Sequence, residues 1–198
     1  MSVIMTRKVS FFPATHARYV VCFPTILEGE FGPKGLMEEI RTRYYRAYQA
    51  WRATADALIA ESRNGIGVPF VFPEDNGQVL IFLPLKNDFR DGQINENIIK
   101  AVNNLASYLT GAISLESSDR RHQVTMPPIL LEQAEGESRK DATLRSIRWL
   151  RRKLDDVETT IEVSVSPWRM MRKPEDAPLY YLTTAGNYHW EDNKNFLP

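Results

Sequence analysis

A chain of 198 residues can bury the core of one domain but is short for two. Lys+Arg and Asp+Glu balance at 25 each, so no global field drives adhesion to nucleic acid or an anionic membrane, and an electrostatic partner must meet a local patch. One cysteine excludes an internal disulfide, and no long uncharged apolar run reads as a signal peptide or membrane span, which makes the cytosol the expected compartment.

The first legible strand is Tyr19-Val20-Val21-Cys22-Phe23, in which Cys22 reads as a small buried hydrophobe. Residues 36–59 carry Leu36, Ile40, Tyr44, Tyr48, Trp51, Ala55 and Ile59 at steps of three to four, which predicts one long helix. Gly32-Pro33-Lys34-Gly35 supplies turn chemistry for its entry, and Asn64-Gly65-Ile66-Gly67 reads as its stop. Val68-Pro69-Phe70-Val71-Phe72 and Val79-Leu80-Ile81-Phe82-Leu83 come next, joined by a hairpin turn at Pro73-Glu74-Asp75-Asn76-Gly77. The second run lacks polar alternation, so helices should cover both its faces.

A second helix is predicted over 95–109, with Ile98, Val102, Leu105 and Leu109 inward and Gly111 just past its end. A strand over 122–126 then runs into Pro127-Pro128. The third helix is expected to begin at Asp141 as N-cap and to carry Leu144, Ile147, Leu150 and Leu154 inward. In 157–165, Val157, Thr159, Ile161, Val163 and Val165 alternate with polar residues, predicting a strand with one buried and one wet face. From 166 onward the pattern shifts to prolines and an aromatic cluster of Tyr180, Tyr181, Tyr188 and Trp190. This reads as a tail packed on the domain or used for contact with a protein partner.

Strands alternating with helices imply a three-layer α-β-α domain over 1–165 with a mixed, largely parallel sheet, and then the tail at 166–198. Ligands of such sheets bind beyond the carboxyl ends of the strands, which selects the loops after Phe23, Leu83 and Met126. The three histidines, His16, His122 and His189, stand too far apart to suggest a metal site. A nucleotide site would need glycines that let backbone approach phosphate, and N–H groups at a helix N-terminus; Gly32, Gly35 and Lys34 offer these.

These loops occur in an order that resembles the ADP-ribose-binding macrodomains, in the branch holding the human terminal ADP-ribose glycohydrolase and its phage and bacterial relatives. The resemblance rests on Val20-Val21-Cys22-Phe23-Pro24-Thr25, on Gly29-Glu30-Phe31-Gly32-Pro33-Lys34-Gly35-Leu36 against the pattern G-x-M-G-x-G-I-A, and on Arg43-Tyr44-Tyr45-Arg46-Ala47-Tyr48. Leu83-Pro84-Leu85-Lys86 is similar to the strand ending F-P-T-K. The third family mark, a proline and a G-C-G loop, is met by Pro127-Pro128, but the loop then reads Ile129-Leu130-Leu131-Glu132-Gln133-Ala134-Glu135-Gly136-Glu137. The family asparagine that orients the distal ribose has no counterpart near Pro24-Thr25.

The resemblance implies binding of ADP-ribose or a related NAD-derived nucleotide by Pro24, Thr25, Gly29, Phe31, Gly32, Pro33, Lys34, Gly35, Pro128 and Gly136, with no cofactor. It also implies a hydrolase role for Lys86 as nucleophile, assisted by an acid among Glu132, Glu135, Glu137 and Asp141. The carboxylates of the third loop oppose a phosphate there. The phage-encoded relatives suggest a viral protein in a host cytoplasm that counters an ADP-ribose-based defence signal. Two other function classes remain beside this one: an inactive scaffold acting through protein contacts, and nucleic-acid binding through Arg145, Arg148 and Arg152. The third is disfavoured, because a solvated helix face balanced by Asp155, Asp156 and Glu158 explains the stripe.

Overall fold

The computed structural model describes residues 2–7, 17–27, 36–88, 91–92, 94–115, 123–127, 129, 131–157, 159–165, 179–182 and 188–191. Six strands form one sheet: β1 (Ser2–Arg7), β2 (Tyr19–Cys22), β3 (Phe70–Pro73), β4 (Val79–Phe82), β5 (Gln123–Met126) and β6 (Thr160–Val165), in the order β1-β6-β5-β2-β4-β3. All neighbours run parallel except β3, which pairs antiparallel with β4 through the expected hairpin.

The central strands show why the sheet needs helices on both sides. Every residue of β2 and β4 is buried. Tyr19, Val21, Val79, Ile81 and Leu83 enter one core beneath α3 (Asn95–Ser114) and α4 (Arg139–Lys153). Their alternates Val20, Cys22, Leu80 and Phe82 enter a second core beneath α1 (Leu36–Arg43) and α2 (Tyr45–Ala60). Successive strand side chains point to opposite faces, so an unbroken apolar run feeds two cores at once. Each fully buried aliphatic side chain contributes roughly 1.5–3 kcal/mol. Trp51 of α2 stacks on Phe82 with ring centroids 5.7 Å apart and planes 3° apart. The three-layer α-β-α reading holds, β2, β4 and β5 are interior strands as expected, and β6, expected only to join the sheet, is interior because β1 pairs with its outer edge.

Several boundaries differ from the sequence reading. The helix expected over 36–59 is two helices, broken at Tyr44 (φ −127°, ψ 54°). Tyr44 donates its hydroxyl to Gln78 Oε1 at 3.0 Å and packs on the second core, so a tertiary contact bends a chain whose apolar stripe continues unbroken. Bonds from Tyr44 N to Ile40 O and from Tyr48 N to Tyr44 O bridge the break.

Helix α2 stops before the predicted glycines. Ser62 takes φ 52°, Ser62 N bonds to Ile59 O at 3.1 Å, and Arg63 N bonds to Leu58 O at 2.9 Å, the paired bonds of a Schellman end. Gly111 lies inside α3 rather than beyond it, because Ala112 and Ile113 still pack on the core. The cap of α4 is Ser138, whose hydroxyl accepts from Asp141 N at 3.1 Å and donates to the Asp141 carboxylate at 2.6 Å. Asp141 is therefore the third helical residue, not the cap, and both its N–H and its carboxylate meet the Ser138 hydroxyl. Val157 is buried but precedes β6. Sequence periodicity missed β1, and in the tail it missed the antiparallel pair β7 (Leu179–Leu182) and β8 (Tyr188–Glu191).

Candidate functional site

The carboxyl ends of β2, β4 and β5 lie side by side, and the loop leaving each strand shapes that pole. Beyond β2 and β4 the parallel ladder continues into the loops. Leu83 N donates to Cys22 O at 2.9 Å, Thr25 and Lys86 form a further parallel bridge, Ile26 N donates to Lys86 O at 3.3 Å, and Leu27 N donates to Asn87 O at 2.8 Å. From α2, Arg52 donates to Ile26 O at 3.0 Å, and its other arm pairs with Asp56 at 2.8 Å. Pro24 and Thr25 are buried, and Thr25 Oγ1 donates to Leu27 O at 2.8 Å. These two residues shape the floor through backbone position.

Lys86 is half-buried, and its ammonium donates to Asp91 O at 2.7 Å. Asp91 in turn accepts from Asp88 N through Oδ2 at 2.9 Å and bonds from its own N to Asp88 O at 3.1 Å. The loop after β4 thus closes on itself around Lys86. From below, Gly67 N donates to Pro84 O at 2.8 Å while Gly67 O accepts from Asn104 at 2.6 Å. Gly67 needs to be glycine: its φ is +74°, and a Cβ there would stand 3.2 Å from Ala101 N.

The loop after β5 is held by side chains instead. Ile129 is buried in the core under α3 and α4. Leu131 N donates to Ser146 Oγ at 2.9 Å, and Glu132 N donates to Asn95 Oδ1 at 2.8 Å, which ties this loop to the helix after the β4 loop. Arg145 grips Glu137 through two bonds of 2.8 Å each and donates to Glu132 O at 2.6 Å. Glu137 Oε2 also accepts from Ala134 N at 2.9 Å, and Gln133 Nε2 donates to Glu137 O. The Arg145 hydrogen bonds, then that of Ala134 N, hold the Glu137 carboxyl down at about 2.

Among the expected site residues, Pro24, Thr25, Lys86 and Glu132 belong to this connected pole. Glu132 and Glu135 are exposed on it, and Gly136 takes φ +74° at an exposed turn where a Cβ would meet nothing. Glu137 is consumed by Arg145 and Asp141 by the Ser138 cap. Gly29, Phe31, Gly32, Pro33, Lys34, Gly35 and Pro128 lie outside the described residues. Sequence reasoning missed Arg52, Asn95 and Ser146, which position loops by bonding to main chain and leave no spacing signal. Ser138 was visible as an N-cap serine three residues before an acidic residue, Asp141. Among the described residues no group of His, Cys, Asp and Glu could hold a metal ion, and no helix is long and apolar enough to cross a membrane.

No family model matches the sequence, and no curated protein matches it either. Solved structures do match in shape. The macrodomain of Thermus aquaticus DarG aligns with a TM-score of 0.59 at 14% identity, over 84% of this chain and 100% of that one. A macrodomain protein from Streptomyces coelicolor aligns with a TM-score of 0.58 at 16% identity, over 83% and 99% of the two chains. DarTG of Thermosipho africanus, solved in complex with ADP-ribose, aligns with a TM-score of 0.55 at 12% identity, over 83% of this chain and 42% of that one. The chain has the macrodomain fold.

Proposed function

We propose that this chain binds ADP-ribose or a related NAD-derived nucleotide at the pole formed by the loops after β2, β4 and β5. The observation that carries the reading is the backbone splice of the first two loops, Leu27 N to Asn87 O at 2.8 Å with the Thr25–Lys86 bridge beside it. It fixes the two loops against each other at the strand ends, where sheets of this kind take ligands. A structural neighbour bound to ADP-ribose points to the ligand class. Glycines such as Gly32 and Gly35 suit close approach of backbone to a diphosphate, whereas the exposed carboxylates of Glu132 and Glu135 would repel one. Isothermal titration with ADP-ribose tests the reading: saturable heat that Gly32→Glu abolishes is expected, and silence of the native chain at millimolar ligand would end it.

A second reading, binding without turnover, draws on the engagement of the expected catalytic groups. Lys86 Nζ turns into its own loop and donates to Asp91 O at 2.7 Å, whereas a nucleophile must be aimed at the ligand. Glu137 and Asp141 are both committed to structure. Release of ADP-ribose from a modified protein separates the two readings. A hydrolase would lose turnover far more than affinity on Lys86→Ala, and a reader of ADP-ribose would show no turnover to lose. The wider role of the hydrolase, removal of ADP-ribose from a target to counter a defence signal, rests on that same measurement.

A further inference from the structure

Seven of the 15 residues of α4 are Lys or Arg against a single Asp, in a chain whose 25 basic and 25 acidic residues cancel only when this helix is included. The charge is concentrated on one side: Arg145, Arg148, Arg151, Arg152 and Asp155 line an open groove of about 720 Å³. From Arg145 to Arg152 the helix rises about 10 Å, so the guanidinium groups form a row rather than a point. Arg148 and Arg152 are exposed, and Arg145 anchors the row at the loop after β5 through Glu137. Asp155 closes the far end.

We propose that this groove is a binding site for the phosphate backbone of nucleic acid, distinct from the pole assigned to a nucleotide. The volume is far more than one inorganic anion occupies. Arginine presents a planar fork that engages phosphate oxygens in pairs, and a row about 10 Å long spans successive phosphates of one strand. An acidic protein segment fits less well. Protein interfaces draw their affinity from apolar and aromatic anchors in pockets, and among the described residues every side chain lining this groove is charged. With no net charge on the whole chain, binding depends on a local patch such as this one.

Fluorescence anisotropy of the full chain with labelled oligothymidylate, and separately with a short duplex, tests the site. Each phosphate contact made by the row predicts that affinity falls about 2.5- to 3.5-fold between roughly 50 and 200 mM salt, the duplex at the steeper end. Arg148→Glu with Arg152→Glu should weaken binding at the lower salt by more than about tenfold, while the paired Arg→Lys changes retain most of it. Should the charge reversal lower the melting temperature, Arg152→Gln alone, at an exposed position, should still give a loss of several-fold. Affinity for ADP-ribose should be unchanged in all of these variants, so the site succeeds or fails apart from the nucleotide reading. Absence of binding at low salt, binding indifferent to the reversal, or poly-glutamate bound more tightly than either nucleic acid would overturn it.

Discussion

The loops after β4 and β5 border the same pole, yet they are kept in place by different chemistry. The first is sewn to the β2 loop by main-chain bonds and propped by Gly67, whose own N–H reaches Pro84 O. The second hangs on side chains, above all the Glu137–Arg145 pair, whose side chains are 15% and 39% exposed. Main-chain bonds ignore pH and side-chain identity, whereas an ion pair near the surface responds to both. One wall of the pole is therefore fixed and the other adjustable.

Replacing Gly67 with Val attacks the fixed wall and should have the largest effect. A β-branched residue at φ +74°, with its Cβ 3.2 Å from Ala101 N, is strained in backbone and in space. A loss of about 3 kcal/mol, seen as a fall of about 10 °C in the melting temperature, is expected. A change under about 1 kcal/mol would show that the wall yields more readily than its bonds suggest.

Arg145→Met should leave that wall intact and release the other. Amide exchange at Leu131, Ala134 and Glu137 should quicken several-fold while that at Leu27 and Gly67 stays constant. Equal changes in both sets would erase the contrast.

Acid should reproduce part of that result without mutation. The Glu137 carboxyl titrates at about 2 in the folded chain, below the ordinary carboxylate value of about 4.5. Its stabilisation is then complete above the unfolded value and fades as pH falls from about 4.5 toward 2. Exchange in residues 131–138 should rise over that window, and Arg145→Met should abolish the rise.

The smallest effect tests a region outside both walls. Ser62 sits at φ 52°, where glycine carries no Cβ penalty, so Ser62→Gly should stabilise by about 0.5–1 kcal/mol in chemical denaturation. Destabilisation would mean that the serine hydroxyl contributes more than the backbone costs.

The layers and the interior strands were readable because Val79-Leu80-Ile81-Phe82 and Tyr19-Val20-Val21-Cys22 lack polar alternation, a signature of burial on both faces. Edges were harder. Strand β1 touches only β6 within the sheet and carries Ser, Thr and Arg among its apolar residues, so its period is diluted. The break at Tyr44 depends on Gln78, 34 residues away, which no local pattern contains. At the site, the strand-end rule placed Lys86 and Thr25 together correctly, since topology alone brings them there. Only part of the role of Arg145 was legible: its spacing to Arg148 and Arg152 advertises a stripe, while its bonds to Glu137 and Glu132 O depend on how the intervening loop folds.

The splice between the first two loops also bears on how such a chain can change over generations. Ile26 and Leu27 contribute amide hydrogens, which nearly every amino acid possesses, so the codons of this stretch can drift while the edge keeps its form. Proline, lacking that hydrogen, is the one residue inheritance should refuse at both positions. A lineage could accordingly rewrite the side chains that face a ligand and retain the ledge that holds it.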